Sequence, residues 1–185
     1  MPRSFATALG LALAAAPALA QQDHAQMGRM PSASPYTALQ AREIKALSDT
    51  QIAQYRNGEG IGFALAAELN HYPGPLHALA FADSLALTSE QRQLIGAQRM
   101  RMVNEARRLG EQIVEQERAL DRAFAGGAIT EPQLRSLTAE IARLQGELRF
   151  VHLRAHLAIH EAMSEHQVQR YDALRGYAAG GEHAH

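Results

Sequence analysis

The chain has no cysteine and no tryptophan, and only 5% of its 185 residues are aromatic. Without cysteine there is no disulfide to staple a small fold and no thiol chemistry. Charge of one sign is also missing. Eighteen Lys and Arg stand against 19 Asp and Glu, for a formal net charge of −1. So balanced a chain lacks the basic footprint of a nucleic-acid binder. Long apolar runs are absent too. The run Phe5 to Ala16 is too short to span a bilayer, and no later stretch is long and apolar enough to do so.

Ala, Leu, Glu, Gln and Arg dominate, a composition that favours helix over sheet. Against it a five-residue phrase recurs: apolar, Ser or Thr, two variable residues, Gln. It reads Leu47-Ser48…Gln51, Leu87-Thr88…Gln91, Ile129-Thr130…Gln133 and Met163-Ser164…Gln167. Each copy reads as a capping box. The hydroxyl accepts from the backbone N–H three residues on, and the Gln side chain returns to the N–H of the cap residue. The apolar residue before the cap can staple onto Ile52, Leu134 or Val168 in three copies, but meets Arg92 in the second. Four such starts in one small chain predict an all-α protein.

The first twenty residues read as a cleavable export signal: Arg3, a short apolar run, then Ala18-Leu19-Ala20. The expectation is a periplasmic protein, not transmembrane after cleavage. Residues 21–46 read as a flexible segment, 47–178 as a single helical domain and 179–185 as a His-containing tail. Within the domain the patterning predicts helices over 48–57, about 75–86, 89–125, 131–162 and 165–178, with a second apolar segment at Phe63 to Leu69. Asn70 to Pro75 must interrupt any helix. The seam Leu134, Leu137, Ile141, Leu144, Leu148, Val151, Ala155, Ala158 and Ala162 steps by three and four. With the stripe Ile95, Met102, Ala106, Leu109, Ile113, Leu120 and Phe124, it predicts a long antiparallel helical hairpin with short flanking helices. Two helices cannot bury a broad core alone, so the short helices fold onto them or a second subunit packs there.

The phrase Leu-Thr-Ser-Glu-Gln-Arg at 87–92 resembles the LTxxQ motif of the periplasmic family that includes Spy and CpxP, with the metal-responsive ZraP and CnrX in the same broad group. The resemblance covers about residues 75–175. Its second motif falls at 163–167, with Met163 and Ser164 in place of Leu and Thr. It implies a homodimer in envelope-stress protection: an ATP-independent chaperone holding unfolded clients. The alternative it implies is a heavy-metal sensor or resistance protein acting through a membrane-bound signalling partner.

His152, His156 and His160 stand at i, i+4 spacing, and Met163 follows at i+3. Imidazoles one helical turn apart can chelate a divalent ion such as Zn, Ni, Co or Cu, and Met suits the softer ones. No cofactor is obligatory on this reading, and the same spacing also fits a half-exposed helix face. The CnrX-type pattern adds a Glu and a later His-x-x-x-Met. Here His-x-x-x-His occurs twice, but the Met falls one residue short. His24, Met27 and Met30 near the N-terminus, and His183 and His185 in the tail, are weaker metal candidates. His71 and His77 read as loop and helix-end residues.

No enzyme is expected. Gly58 to Gly62 lacks the strand a dinucleotide loop needs, and no Ser is paired with a His as a hydrolase requires. Arg99, Met100, Arg101, Met102, Arg107 and Arg108 crowd one part of the first long helix. They read either as an ordinary solvated face or as a client surface, whose Arg stems cover apolar area and whose Met side chains adapt.

Overall fold

The computed structural model describes residues 34–177. The chain divides into two units, Met1–Thr37 and Ala38–His185, and every element below belongs to the second. The expected leader at 1–20, His24, Met27, Met30, His183 and His185 lie outside the described residues.

Each recurrent phrase begins a helix. Ser48 caps α1 (Asp49–Asn57), Thr88 caps α4 (Ser89–Ala125), Thr130 caps α5 (Glu131–Ala162) and Ser164 caps α6 (Glu165–Arg175). All four form a capping box. In three, the hydroxyl accepts from the Gln backbone N–H at 3.2–3.3 Å. In the third copy, Gln133 Oε1 takes both the N–H and the hydroxyl of Thr130. The second copy lacks an apolar staple and replaces it with charge: Arg92 donates to Leu87 O at 3.0 Å and to Asp83 at 2.8 Å. Between α1 and α4 lie two short pieces, α2 (Leu65–Glu68) and α3 (Pro75–Ala80). No strand occurs among the described residues, so the fold is all-α.

The helix expected over 75–86 stops at Ala80 and turns on through Ala86, whose φ is +48°. Leu85 and Leu87 explain the break. Both are buried, yet on one continuous helix they would point about 200° apart. The turn brings both inward.

Two apolar cores follow. One joins Ile44, Leu47, Ile52 and Tyr55 to Leu109, Ile113, Leu144 and Leu148. The other joins Ala82, Leu85, Leu87 and Ile95 to Ile159, Met163, Val168 and Tyr171. α1 reaches the first core by lying directly on α4. A Cβ at residue 110 would stand 2.1 Å from Tyr55 O, so only glycine permits the crossing. Gln91, in the first turn of α4, donates to Ala162 O, the last residue of α5, and Arg154 meets Glu105. Toward the far end of α4, Glu43 and Lys45 bind Arg118 and Asp121. Phe124, expected in the apolar stripe, lies beyond that cover and is 56% exposed.

The caps of α4 and α6 interlock. Gln91 Nε2 donates to Gln167 Oε1 at 2.9 Å, and Gln167 Nε2 donates back to Gln91 Oε1 at 3.0 Å. Each oxygen also takes the N–H of its own cap residue. Gln167 adds a bond to Leu85 O. Gln91→Ala therefore strips partners from a half-buried network, at a cost of about 1–3 kcal/mol. Gln133→Ala opens a box that faces solvent and costs about 1 kcal/mol or less. Thermal melts should show a drop of several degrees for the first and a smaller one for the second.

Candidate functional site

The seam of α5 passes from the first core at Val151 to the second at Ile159. Between them it carries two histidines inward: His152 is 3% exposed and His156 is 7%. The segment 58–77, with α2 and the start of α3, covers them. Of its two acids, Glu59 is exposed and Glu68 is buried.

His156 Nδ1 lies 2.8 Å from Tyr72 O. A carbonyl can only accept, so Nδ1 carries a proton and donates to it. Gly74 packs against this ring. A Cβ there would stand 2.9 Å from His156 Cε1 and 3.2 Å from both His156 Nε2 and Glu68 Oε2. No side chain fits between the imidazole and the carboxylate.

Glu68 Oε1 takes three donors: Tyr171 Oη at 2.7 Å, Arg175 Nε at 3.0 Å and Tyr177 Oη at 3.2 Å. Gly74 N–H donates in turn to Tyr171 Oη. Burial, then the hydrogen bond to Glu68, raises the Tyr171 phenol well above its ordinary pKa. Glu68 Oε2 is left facing His156 Nδ1 at 3.7 Å. A buried carboxylate demands such compensation, and Arg175 supplies the opposite charge. This knot ties α2 and α3 to α6.

His152 is less well served. Its Nε2 is buried with no hydrogen-bond partner, an omission worth about 1–3 kcal/mol. Burial, and then His156, lowers its pKa. His77 is lowered in the same way, by burial and then by Arg175. Around these groups opens a cleft of about 600 Å³. Glu68, His77, His152 and His156 line it, as do Arg99, Met102 and Arg107.

The expected ligand stripe on α5 is thus divided. His152 and His156 face this cleft. His160 instead stacks on Tyr72, with ring centroids 4.4 Å apart. With Met163 it lines a separate groove beside His71 and Asp172. Met163 is 8% exposed and packs in the second core. Among the described residues no three His, Asp or Glu side chains are grouped so as to hold a metal ion. In the second groove His71 Nδ1 sits 2.8 Å from Asp172 Oδ2, and Asp172 Oδ1 is buried without a partner. His71 holds a left-handed φ of +68°, unusual outside glycine.

Sequence reasoning passed over Glu68, Asp172, Tyr171 and Arg175. For Glu68 a signal existed, since it is the lone acid in the apolar segment Phe63 to Leu69. Of the surface residues singled out on α4, Arg99, Met102 and Arg107 line the cleft. Arg101 and Met102 line a neighbouring groove with Arg154, Met100 is 65% exposed, and Arg108 is exposed.

A comparison with protein-family models finds no match for this chain, nor does one with curated proteins or with solved structures. The fold defines an all-α protein. No helix among the described residues is long and apolar enough to cross a membrane.

The buried histidine has a consequence for stability. In the unfolded chain His152 titrates near its ordinary pKa of about 6.5. Below that pH the unfolded state takes up a proton that the folded state resists. The contribution of His152 is therefore full above about pH 6.5 and is lost as pH falls through the depressed folded pKa. Urea unfolding should show stability declining from pH 7.5 to 5, and His152→Phe should make that decline shallower.

Proposed function

We propose that this protein binds unfolded polypeptides without ATP and protects the cell envelope under stress. On this reading it is exported to the periplasm, is built on a long antiparallel hairpin of α4 and α5, and works as a homodimer. It has no catalytic step. The observation that carries the reading is how the arginines are used. Arg118, Arg135, Arg143 and Arg154 are paired with carboxylates. Arg99, Arg101, Arg107 and Arg108 form no ion pair among the described residues, and exposed Met100 and half-buried Met102 lie among them. Unanswered cations beside adaptable apolar side chains along this stretch of α4 suit weak, multivalent contact with chains of varied sequence.

The test is suppression of aggregation of an unrelated unfolding protein, with chelator present. Suppression near one-to-one stoichiometry is expected. Arg101→Glu with Arg108→Glu should raise the amount of protein required several-fold, while Arg135→Glu should not. No suppression even at large excess sinks the reading.

A second reading, metal sensing, is favoured by one observation. Two buried imidazoles stand one turn apart; His156 uses its Nδ1 on Tyr72 O, and His152 has an Nε2 without a partner. Neutral imidazole is the form that ligates a transition ion. Zinc titration of the metal-free protein should show saturable uptake that His152→Gln with His156→Gln removes, leaving aggregation suppression intact. Unchanged uptake in that variant rejects this pair as ligands.

A further inference from the structure

The cleft holds a charge surplus that the protein itself does not answer. Its charged lining comprises Arg99, Arg107 and Arg175 against Glu59 and Glu68. Arg175 is bonded to Glu68. Arg107 donates Nε to Asn57 O at 3.3 Å, which leaves its other N–H groups free of that bond. Neither Arg99 nor Arg107 pairs with a carboxylate, whereas Arg56, Arg92 and Arg154 all do.

Beside its polar groups the lining has an apolar part: Ile61, Leu65, Leu76, Met102 and Val103. Leu65 and Leu76 are more than half exposed. Ile61 has a φ of +43° and stands between two glycines. A β-branched residue is disfavoured in that region. The loop nevertheless keeps a branched hydrocarbon at the cleft rather than a third glycine.

An apolar wall next to unpaired guanidiniums matches an amphiphile of negative charge. A volume of about 600 Å³ is that of an ordinary small-molecule site. Guanidinium forks bind a carboxylate through charge-assisted hydrogen bonds. Ile61, Leu65 and Leu76 offer no partner to backbone N–H and C=O groups laid along them. A hydrocarbon chain brings no such groups. We propose that the cleft is a binding site for a medium-chain alkyl carboxylate, with its head group at Arg99 and Arg107 and its chain along Ile61, Leu65 and Leu76. This site overlaps the proposed client surface, with which it shares Arg99, Arg107 and Met102.

The test is calorimetric titration of the purified protein with decanoate below its micelle-forming concentration. One saturable site per chain is expected. Arg99→Gln with Arg107→Gln should weaken it about tenfold or more, and so should replacing the probe with decyltrimethylammonium, which has the same tail and the opposite charge. Acetate alone should give no detectable heat. If circular dichroism shows the double Arg variant unfolded, Leu65→Asn, at an exposed position, takes its place and should also weaken binding. Absence of saturable uptake overturns the proposal. So does equal uptake of the two amphiphiles, or binding indifferent to these substitutions. Aggregation suppression is measured on the same preparations without decanoate. Suppression without decanoate uptake removes this site and leaves the client reading standing, and uptake without suppression does the reverse.

Discussion

Gln91 and Gln167 each carry one amide, and each amide serves two purposes. The oxygen closes a helix cap by taking the N–H of Thr88 or Ser164. The nitrogen crosses to the other cap. A primary amide accepts through its oxygen and donates through its nitrogen, so glutamate at either position would leave the crossing bond without its donor. The start of α4, the start of α6 and the end of α5 are joined at this point through Ala162 O. The second core forms around the join. Leu87 and Met163, the residues before the two caps, are both members of it. Displacing the clasp would therefore loosen a core as well as two helix ends.

The cleft depends on this arrangement. α6 must be held for Tyr171 and Arg175 to meet Glu68, and Glu68 must be held for segment 58–77 to lie over His152 and His156. The result is a buried polar layer between two apolar cores. Such a layer is tolerable when its members satisfy one another. Glu68, Tyr171 and Arg175 do so. His152 Nε2 and Asp172 Oδ1 do not: among the described residues they are buried side-chain polar atoms without a hydrogen-bond partner. Their residues line the two histidine-bearing grooves.

Much of the architecture was readable from residue patterns. The bounds of α4 and α5 match the expected 89–125 and 131–162, because each begins at a capping phrase and carries a long apolar stripe. The expected α3 ran too far, because helical periodicity could not show that Leu85 and Leu87 must both turn inward. Phe124 fitted the stripe but found nothing to cover it. Of the expected His and Met ligand stripe, spacing alone put four residues on one face, while Tyr72 separates His160 from His156 by stacking on one and accepting from the other. Gly110 drew no attention as a sequence feature. Its role is visible only where Tyr55 crosses it.

What the sequence determined by itself is where helices begin and which residue types can face inward. Capping bonds span three residues, and apolar stripes repeat within a turn or two, so both are written locally. Tertiary structure decided which polar groups share a site. Tyr72 and His156 are 84 residues apart in the chain, and Glu68 and Tyr171 are 103 apart. No local pattern links residues at such distances. Their pairing follows from α1 settling on Gly110, from the glutamine clasp fixing α6, and from the requirement that a buried carboxylate find its donors wherever the packing supplies them.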